Sequence, residues 1–393
     1  MVSGSLCKIE YTLKEQAQNI PLSLYVHIPW CEEKCPYCDF NSHKKNGEIP
    51  QEVYVNEIIS DFKSSISKIE DRELKSIFFG GGTPSLFSSY EIGRFLDHAN
   101  KIVNFSDDIE ISIEANPSSA EKKKFSEFKS VGFNRISIGI QSLEDSKLKS
   151  LGRIHGRKEA LSAVTSAREA GFNNINLDLM YALPHQTTRE AERDLREVIA
   201  LMPDHISWYQ LTLEPNTFFY QKPPNLPSND EAGEMMDMGM DILSDNSFNQ
   251  YEVSAFAKKN KECRHNLNYW TFGDYLGIGA GAHTKITQSD GRIERSIKKK
   301  NPKSYMAEID KISSERTLVS EELAIEFMLN ALRLKKGVKA DLYEERTGQN
   351  IESIADKLNY ARDENLLVSD IEILKPTTSG FRYLNNLLEI FEP

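Results

Sequence analysis

Between residues 22 and about 211 the chain alternates short apolar runs with stretches of helical spacing, and this alternation narrows the choice of fold more than any other feature. The apolar runs fall at residues 22–28, 74–79, 109–114, 135–140, 175–179 and 205–211, with the β-branched and aromatic content of strands. Residues 54–69, 158–170 and 189–201 place apolar side chains at three- and four-residue intervals, which predicts helices between those strands. Strands separated by helices pair in parallel through right-handed crossovers, so an α/β domain is expected. Strand counting does not separate an open doubly wound sheet from a barrel, but both gather their ligand sites at the carboxyl ends of the strands.

The end of the first strand carries YVHIPWCEEKCPYCDFNSH, in which Cys31, Cys35 and Cys38 follow the spacing C-x3-C-x2-C. Three thiolates hold three irons of a cubane and leave the fourth open to an outside ligand, whereas four-cysteine clusters tend to be closed electron carriers. A zinc site completed by His27 or His43 is the alternative, as are unrelated buried thiols. Strand two runs into GGGTPS, where Gly80, Gly81 and Gly82 let backbone approach a ligand and Thr83 turns the chain toward a helix. The lysine of a Walker A loop is absent, and a plain tight turn explains the same run. Glu114, Gln141, Arg153 and Asp178 fall at or beyond later strand ends. A carboxylate between leucines, as Asp178 is, must be hydrogen-bonded, either by a ligand such as ribose or by loop backbone. Alternation turns Tyr25 toward the same end, with core packing as its alternative.

Composition removes several classes. The 393 residues suffice for a large core and an appended domain. A net charge of −11, from 48 basic and 59 acidic side chains, argues against a broad nucleic-acid footprint. Five cysteines, three of them in one loop, do not make a secreted disulfide framework and imply a reducing compartment. Cys7 and Cys263 are isolated and read as inert or surface thiols. The opening MVSGSLCKIEYTLKEQAQN is too polar for a signal peptide and no apolar run is long enough to span a membrane, so a cytoplasmic protein is expected.

The cysteine spacing, with Tyr37 immediately before the third cysteine, resembles the signature of the radical S-adenosylmethionine (radical SAM) superfamily. That resemblance implies a partial (β/α)6 barrel whose open side admits a bulky ligand. It also implies a [4Fe-4S] cluster whose open iron chelates the amino and carboxylate groups of S-adenosylmethionine (SAM). GGGTP is similar to the superfamily motif that meets the methionine amino group. Glu114, Gln141, Arg153 and Asp178 align with residues that contact SAM in related coproporphyrinogen dehydrogenases, with Arg153 assigned to its carboxylate or adenosyl region and Asp178 to its ribose. Tyr25 resembles a tyrosine beside the cluster.

YVHIPWC, CPYCDFNSH, EANP, RISIGIQS, LGRIH, DLMYALP, YQLTLEPNT and YLGIGAGAH resemble, in that order, the oxygen-independent coproporphyrinogen III oxidase-like branch. The true dehydrogenase of that branch has another cysteine two places after the third cluster ligand and a longer N-terminal segment. Here Phe40 occupies that place, and about twenty residues precede strand one. DFNSH is similar instead to the heme chaperones of the branch, as is the H-N-x-x-Y-W run formed by His265, Asn266, Tyr269 and Trp270. Heme is then the cargo, and heme-accepting proteins, membrane-associated respiratory ones among them, are the implied partners, with an electron donor if the cluster is reduced. Contact with a membrane comes only through such a partner, and no nucleic acid is implied. Oxidative decarboxylation of coproporphyrinogen III is the alternative function. An imidazole ligates heme iron and aromatics pack on porphyrin faces, which makes His265 the first candidate ligand. The same run also suits a surface histidine with two aromatics anchoring a crossover. His283 is the second candidate, and it equally suits a hydrogen bond to its own turn.

The expected organisation is a short segment at 1–20, the barrel with cluster and SAM site at 21–255, a rim and connecting segment at 256–296, and a C-terminal domain at 297–393. In the last, a long helix is predicted over 320–338, a short one over 354–362 and a hairpin around 366–384. The pattern resembles a winged-helix-like unit. Glu321, Glu322, Glu326, Glu344, Glu345, Asp363 and Glu364 make it a poor phosphate surface, which leaves a lid or a partner contact.

Overall fold

The computed structural model describes residues 14–117 and 121–393; Cys7 and most of segment 1–20 lie outside them. Six parallel strands stand side by side in chain order: β1 (Leu22–Ile28), β2 (Leu74–Gly81), β3 (Phe105–Ala115), β4 (Arg135–Gln141), β5 (Ile175–Tyr181) and β6 (His205–Gln210). Helices α1 (Gln51–Ser65), α2 (Ser89–Ile102), α3 (Glu121–Ser130), α4 (Asp145–Ser150), α5 (Arg157–Glu169) and α6 (Thr188–Ala200) connect them. The sheet ends in two free edges, so the barrel is partial.

Alternation along the strands creates both a core and a lumen. Leu22, Leu24, Val26 and Ile28 of β1 join the main hydrophobic core with Tyr54, Ile58 and Phe62 of α1. The intervening residues face inward and are small or polar: Ser23 and Ser76 hydroxyls lie 2.7 Å apart, and the Asn176 amide donates to the Ser137 hydroxyl at 2.7 Å. Such a lumen leaves room near the strand ends while these inward polar groups satisfy one another, although the buried Ser112 hydroxyl finds no partner among the described residues.

Residues 256–296, expected as a rim and connection, instead extend the sheet. β7 (Asn249–Glu252) and β8 (Ala255–Ala257) add antiparallel strands beyond β6, while β9 (Asp274–Ile278) lies parallel to β1 on its other side. β10 (His283–Thr287), β11 (Ile293–Lys298) and β12 (Ile312–Thr317) continue antiparallel from β9, so the sheet runs past the expected boundary at 297. The fully buried Asp274 fixes this extension. It accepts from Arg72 at 2.7 Å, from Lys285 at 2.8 Å and from Thr287 N–H at 2.8 Å. A buried carboxylate with that many donors is held, whereas one stripped of them would carry an uncompensated charge.

A second core forms from Leu318 onward around Phe327, Met328, Tyr343, Leu387 and Phe391. The helix predicted over 320–338 is shorter, a 3-10 turn at Ser320–Glu322 followed by Leu323–Ala331, because the chain turns to pair Val338–Lys339 with Ile373–Leu374. The expected hairpin is reduced to one bridge, Leu367 to Pro376, and residues beyond it are helical. Trp270 joins this second core with the Arg333 guanidinium 4.4 Å over its ring, so it ties the C-terminal part to the barrel. Among the described residues no helix is long and apolar enough to cross a membrane.

Candidate functional site

The loop that follows β1 is folded back by a short parallel pairing of Trp30–Cys31 with His43–Lys44, closed by His43 N–H to Pro29 O at 2.7 Å and Lys45 N–H to Cys31 O at 2.9 Å. Inside it, the Lys34 ammonium donates to the carbonyls of Phe40 at 3.2 Å and Ser42 at 3.1 Å. The Asn41 amide donates to Ala280 O and Lys300 O, both at 2.9 Å, tying the loop to the turn between β9 and β10 and to the residues that follow β11. The loop is thereby a wall between two cavities.

The first cavity, about 320 Å³, is lined by Cys31, Cys35 and Cys38 together with Tyr37, Gly81, Gly82, Thr83, Glu114, Gln141, Arg153 and Asp178. All three cysteines are free thiols. Cys31 Sγ accepts from the Thr83 hydroxyl at 3.6 Å, Cys35 Sγ from the Arg153 guanidinium at 3.7 Å, and Cys38 Sγ lies 3.8 Å from the Ser42 hydroxyl. Burial pushes the Cys31 and Cys38 thiols above their ordinary pKa, and iron would reverse that by taking the thiolate form. Among the described residues no three His, Cys, Asp or Glu side chains converge on a single ion. A cubane asks for something else, soft sulfurs spread over different irons, and this donor set beside a guanidinium fits it.

The glycines of GGGTP act on protein as much as on ligand. Gly81 has φ +112°, and a Cβ there would overlap the His27 ring; a Cβ on Gly82 would lie 2.5 Å from Trp30 O. The bare backbone lets β2 run close under the cysteine loop, with Gly82 N–H donating to Ile28 O and Thr83 N–H to Trp30 O, both at 2.8 Å. Gly81 N–H also donates to Glu114 Oε2 at 3.2 Å. Gly80 sits one residue before these, a Cβ there meeting Phe78 at 3.0 Å and Glu114 at 3.1 Å.

Two carboxyl groups share this cavity. Burial, then the charge of Asp178, hold Glu114 up at about 8 against the opposing Gly81 N–H and the Arg135 charge. Asp178 is also raised by burial, although it accepts from Ser137 at 3.2 Å and Asn176 at 2.7 Å. Arg153 is held across the cavity by Asn116 Oδ1 and Gly139 O, both at 2.7 Å, and Gln141, with φ +65°, accepts from the Tyr209 hydroxyl at 2.8 Å. Asn116 and Tyr209 line the cavity unforeseen. The EANP run carries Asn116 two residues after Glu114, and strand alternation would have turned Tyr209 inward with Ser207. The raised carboxyls suit a ligand that brings positive charge.

Across the loop lies a larger cavity of about 730 Å³, lined by Tyr25, His27, Phe40, Tyr269, Tyr275, His283 and Lys300 among others. Tyr25 therefore faces this second cavity and not the first, its hydroxyl 3.1 Å from His27 Nδ1. Phe40, 60% exposed, lines both cavities, as do Cys38, Asp39, Gly81 and Glu114, so the two adjoin there. Tyr37 packs on Phe219 with ring centroids 6.4 Å apart.

His265 is not brought to either cavity. Only 2% exposed, it stacks on Phe78 with centroids 5.1 Å apart, and its ring nitrogens are occupied by the Ser76 hydroxyl at 3.0 Å and the Tyr269 hydroxyl at 3.2 Å. Burial, then the Arg135 charge, push its imidazole down to about 3. The expected axial ligand is thus a buttress behind Tyr269, and the H-N-x-x-Y-W run presents its tyrosine to the cavity instead. Cys263 is fully buried, not at the surface, with its thiol pushed up to about 12 by burial.

The profile of the radical SAM superfamily matches residues 25–198, and that of the HemN C-terminal domain matches residues 318–383. Heme chaperone HemW of Haemophilus influenzae is 45% identical over 375 residues, covering 94% of this chain and 98% of that protein. Heme chaperone HemW of Escherichia coli is 44% identical over 371 residues, with 94% and 98% covered. The solved structure of coproporphyrinogen III oxidase (HemN) from Escherichia coli superposes with a TM-score of 0.82 at 22% identity, covering 97% of this chain and 92% of that one, a likeness of fold.

Proposed function

The chain belongs to the radical SAM superfamily and, within it, to the heme chaperone HemW family, and from that membership we propose that it binds heme and delivers it to acceptor proteins. Membership implies a [4Fe-4S] cluster and SAM. Cys31, Cys35 and Cys38 would hold three irons of that cluster, and GGGTP with Glu114 would receive the methionine end of SAM. Arg153 and Gln141 face the carboxylate and adenosyl region, and Asp178 the ribose. When bound, the cluster supplies an electron to the ligand on its open iron. The chain's own residues orient that ligand and keep the carboxyl pair beside its positive charge.

The observation that carries this reading is the second cavity. A loop with cofactor-bearing chemistry on one face has an aromatic, partly basic vestibule beside it, large enough for a porphyrin-sized ligand and bordering the SAM cavity along Cys38, Phe40, Gly81 and Glu114. Sharing a fold with an oxidase does not assign the oxidase's substrate, and Phe40 supplies no thiol where that enzyme has one. Heme acceptors, membrane-associated ones included, and a cytoplasmic donor of electrons complete the proposal, with the chain itself working in the cytoplasm. The test is to incubate anaerobically reconstituted protein with coproporphyrinogen III, SAM and reductant. A chaperone leaves the porphyrinogen unchanged, whereas stoichiometric SAM cleavage with conversion to protoporphyrinogen IX overturns the reading.

A further inference from the structure

We propose that heme lies in the cavity on the far side of the cysteine loop, with the imidazole of His283 as its iron ligand and Lys300 facing a carboxylate. This rests on the reading above and specifies where its cargo sits.

Cys38 also lines this cavity but is given to the cluster, and elimination among the remaining side chains selects His283. His27 lines the same wall, but its ring nitrogens are 3.1 Å from the Tyr25 hydroxyl and 2.9 Å from Asn41 O, the second of which helps hold the cysteine loop. The tyrosine hydroxyls are likewise engaged: Tyr269 with His265 at 3.2 Å and Tyr275 with Arg295 at 2.6 Å. His283 is exposed, and neither of its ring nitrogens has a hydrogen-bond partner among the described residues. Its turn does not need it, because Gly279 N–H donates to the Tyr305 hydroxyl at 3.1 Å and Ala280 N–H to the Tyr54 hydroxyl at 2.8 Å.

The surroundings match the rest of a heme. Tyr269 and Tyr275 meet edge to face with centroids 4.4 Å apart and give an aromatic lining, to which Phe40 adds an exposed ring. Lys300 is exposed on the same wall, and its ammonium has no partner among the described residues, so it is available to a propionate. Asn41 fixes the relation between ligand and cofactor. Through its bonds to Ala280 O and Lys300 O, the segment that carries His283 and Lys300 is anchored to the cysteine loop. A single neutral ligand on an open rim also suits a protein that must release its cargo.

The experiment titrates anaerobically reconstituted full-length protein with hemin, followed by Soret absorbance, and in parallel with iron-free protoporphyrin IX, followed by fluorescence. His283→Ala is expected to shift the Soret maximum and weaken hemin about tenfold or more, to leave protoporphyrin IX within about twofold, and to recover the wild-type band on addition of imidazole. Lys300→Glu is expected to weaken both ligands about threefold to tenfold. Iron and sulfide content equal to wild type confirms that the variants are folded. An unchanged Soret band and affinity in His283→Ala, in a wild type that does bind hemin, overturns this assignment and leaves the chaperone reading standing. Equal loss of both porphyrins in His283→Ala also overturns it, since the imidazole would then pack and not ligate. A wild type that binds neither overturns both.

Discussion

Binding of SAM should expel a proton, and Glu114 should be its source. Burial and the neighbouring Asp178 hold the Glu114 carboxyl at about 8, so roughly 90% of it is protonated at pH 7 in the ligand-free protein. SAM carries a sulfonium and an ammonium. The amino group sheds its own proton if it ligates iron, but the sulfonium charge against the carboxyl restores the ionised form, so Glu114 adds about 0.9 proton at pH 7, about half a proton at pH 8 and about 0.1 at pH 9. The part of the pH dependence of affinity that Glu114 contributes accordingly has a slope near one below pH 8 and levels off above it. Isothermal titration in buffers of different ionisation enthalpy reads the proton count directly. Glu114→Gln keeps the shape and the bond from Gly81 but has no carboxyl proton to lose, so its release at pH 7 should fall below that of wild type by about 0.9 proton. The sign for stability follows from the same shift. A carboxyl raised in the folded state binds more protons than the unfolded chain between its ordinary value and about 8, so this group's contribution falls as pH rises through that window. Proton release by Glu114→Gln equal to that of wild type, or none by wild type at pH 7, refutes the reasoning.

Replacing Cys31, Cys35 or Cys38 by alanine removes one thiolate from the cavity wall and should cut iron and sulfide per chain well below the four of each expected in wild type, read by chemical analysis and EPR; undiminished content would remove that cysteine from the ligand set. Asp178→Ala should weaken SAM by about 1–3 kcal/mol with the cluster intact, because ribose hydroxyls lose their acceptor; equal affinity by calorimetry would return Asp178 to a purely structural role with Ser137 and Asn176. Gly82→Ala drives a methyl to 2.5 Å from Trp30 O, a backbone atom that has little freedom to yield, and should cost about 1–3 kcal/mol of stability and lower cluster occupancy; an unchanged melting temperature and iron content would show that the loop gives way.

The parallel barrel was legible because its strands are continuously buried and its helices amphipathic, and such signals survive in local sequence. Leu22–Ile28 and Arg135–Gln141 read as strands from their own residues. β9 did not, because YLGIGAG is short and rich in glycine, which weakens a strand pattern, and what holds it is a long-range contact of Asp274 with Arg72 and Lys285. The cysteines, Gly81 to Thr83 and the later polar residues lie in one cavity because each stands on the loops or inward strand faces near the same end of the barrel, with Asp178 in mid-strand. Tyr25 departs from them because the loop after its own strand divides the barrel mouth. His265 shows the limit of a motif read without depth: H-N-x-x-Y-W announces an aromatic cluster, but which ring faces ligand depends on Ser76 and Phe78, far away in sequence. The long helix after residue 320 was overread because propensity runs on where tertiary pairing of Val338–Lys339 calls for a turn.

The central claim is that heme is cargo, held and handed on. Anaerobically reconstituted protein loaded with one equivalent of heme, separated from excess and mixed with an apo-hemoprotein of distinct Soret spectrum, tests it directly in a stopped-flow spectrophotometer. The account predicts a wild-type complex that survives the separation and transfers its heme at a rate that depends on acceptor concentration, with porphyrin and SAM recovered intact. Heme lost during separation, or transferred at a rate independent of the acceptor as simple dissociation would be, contradicts it.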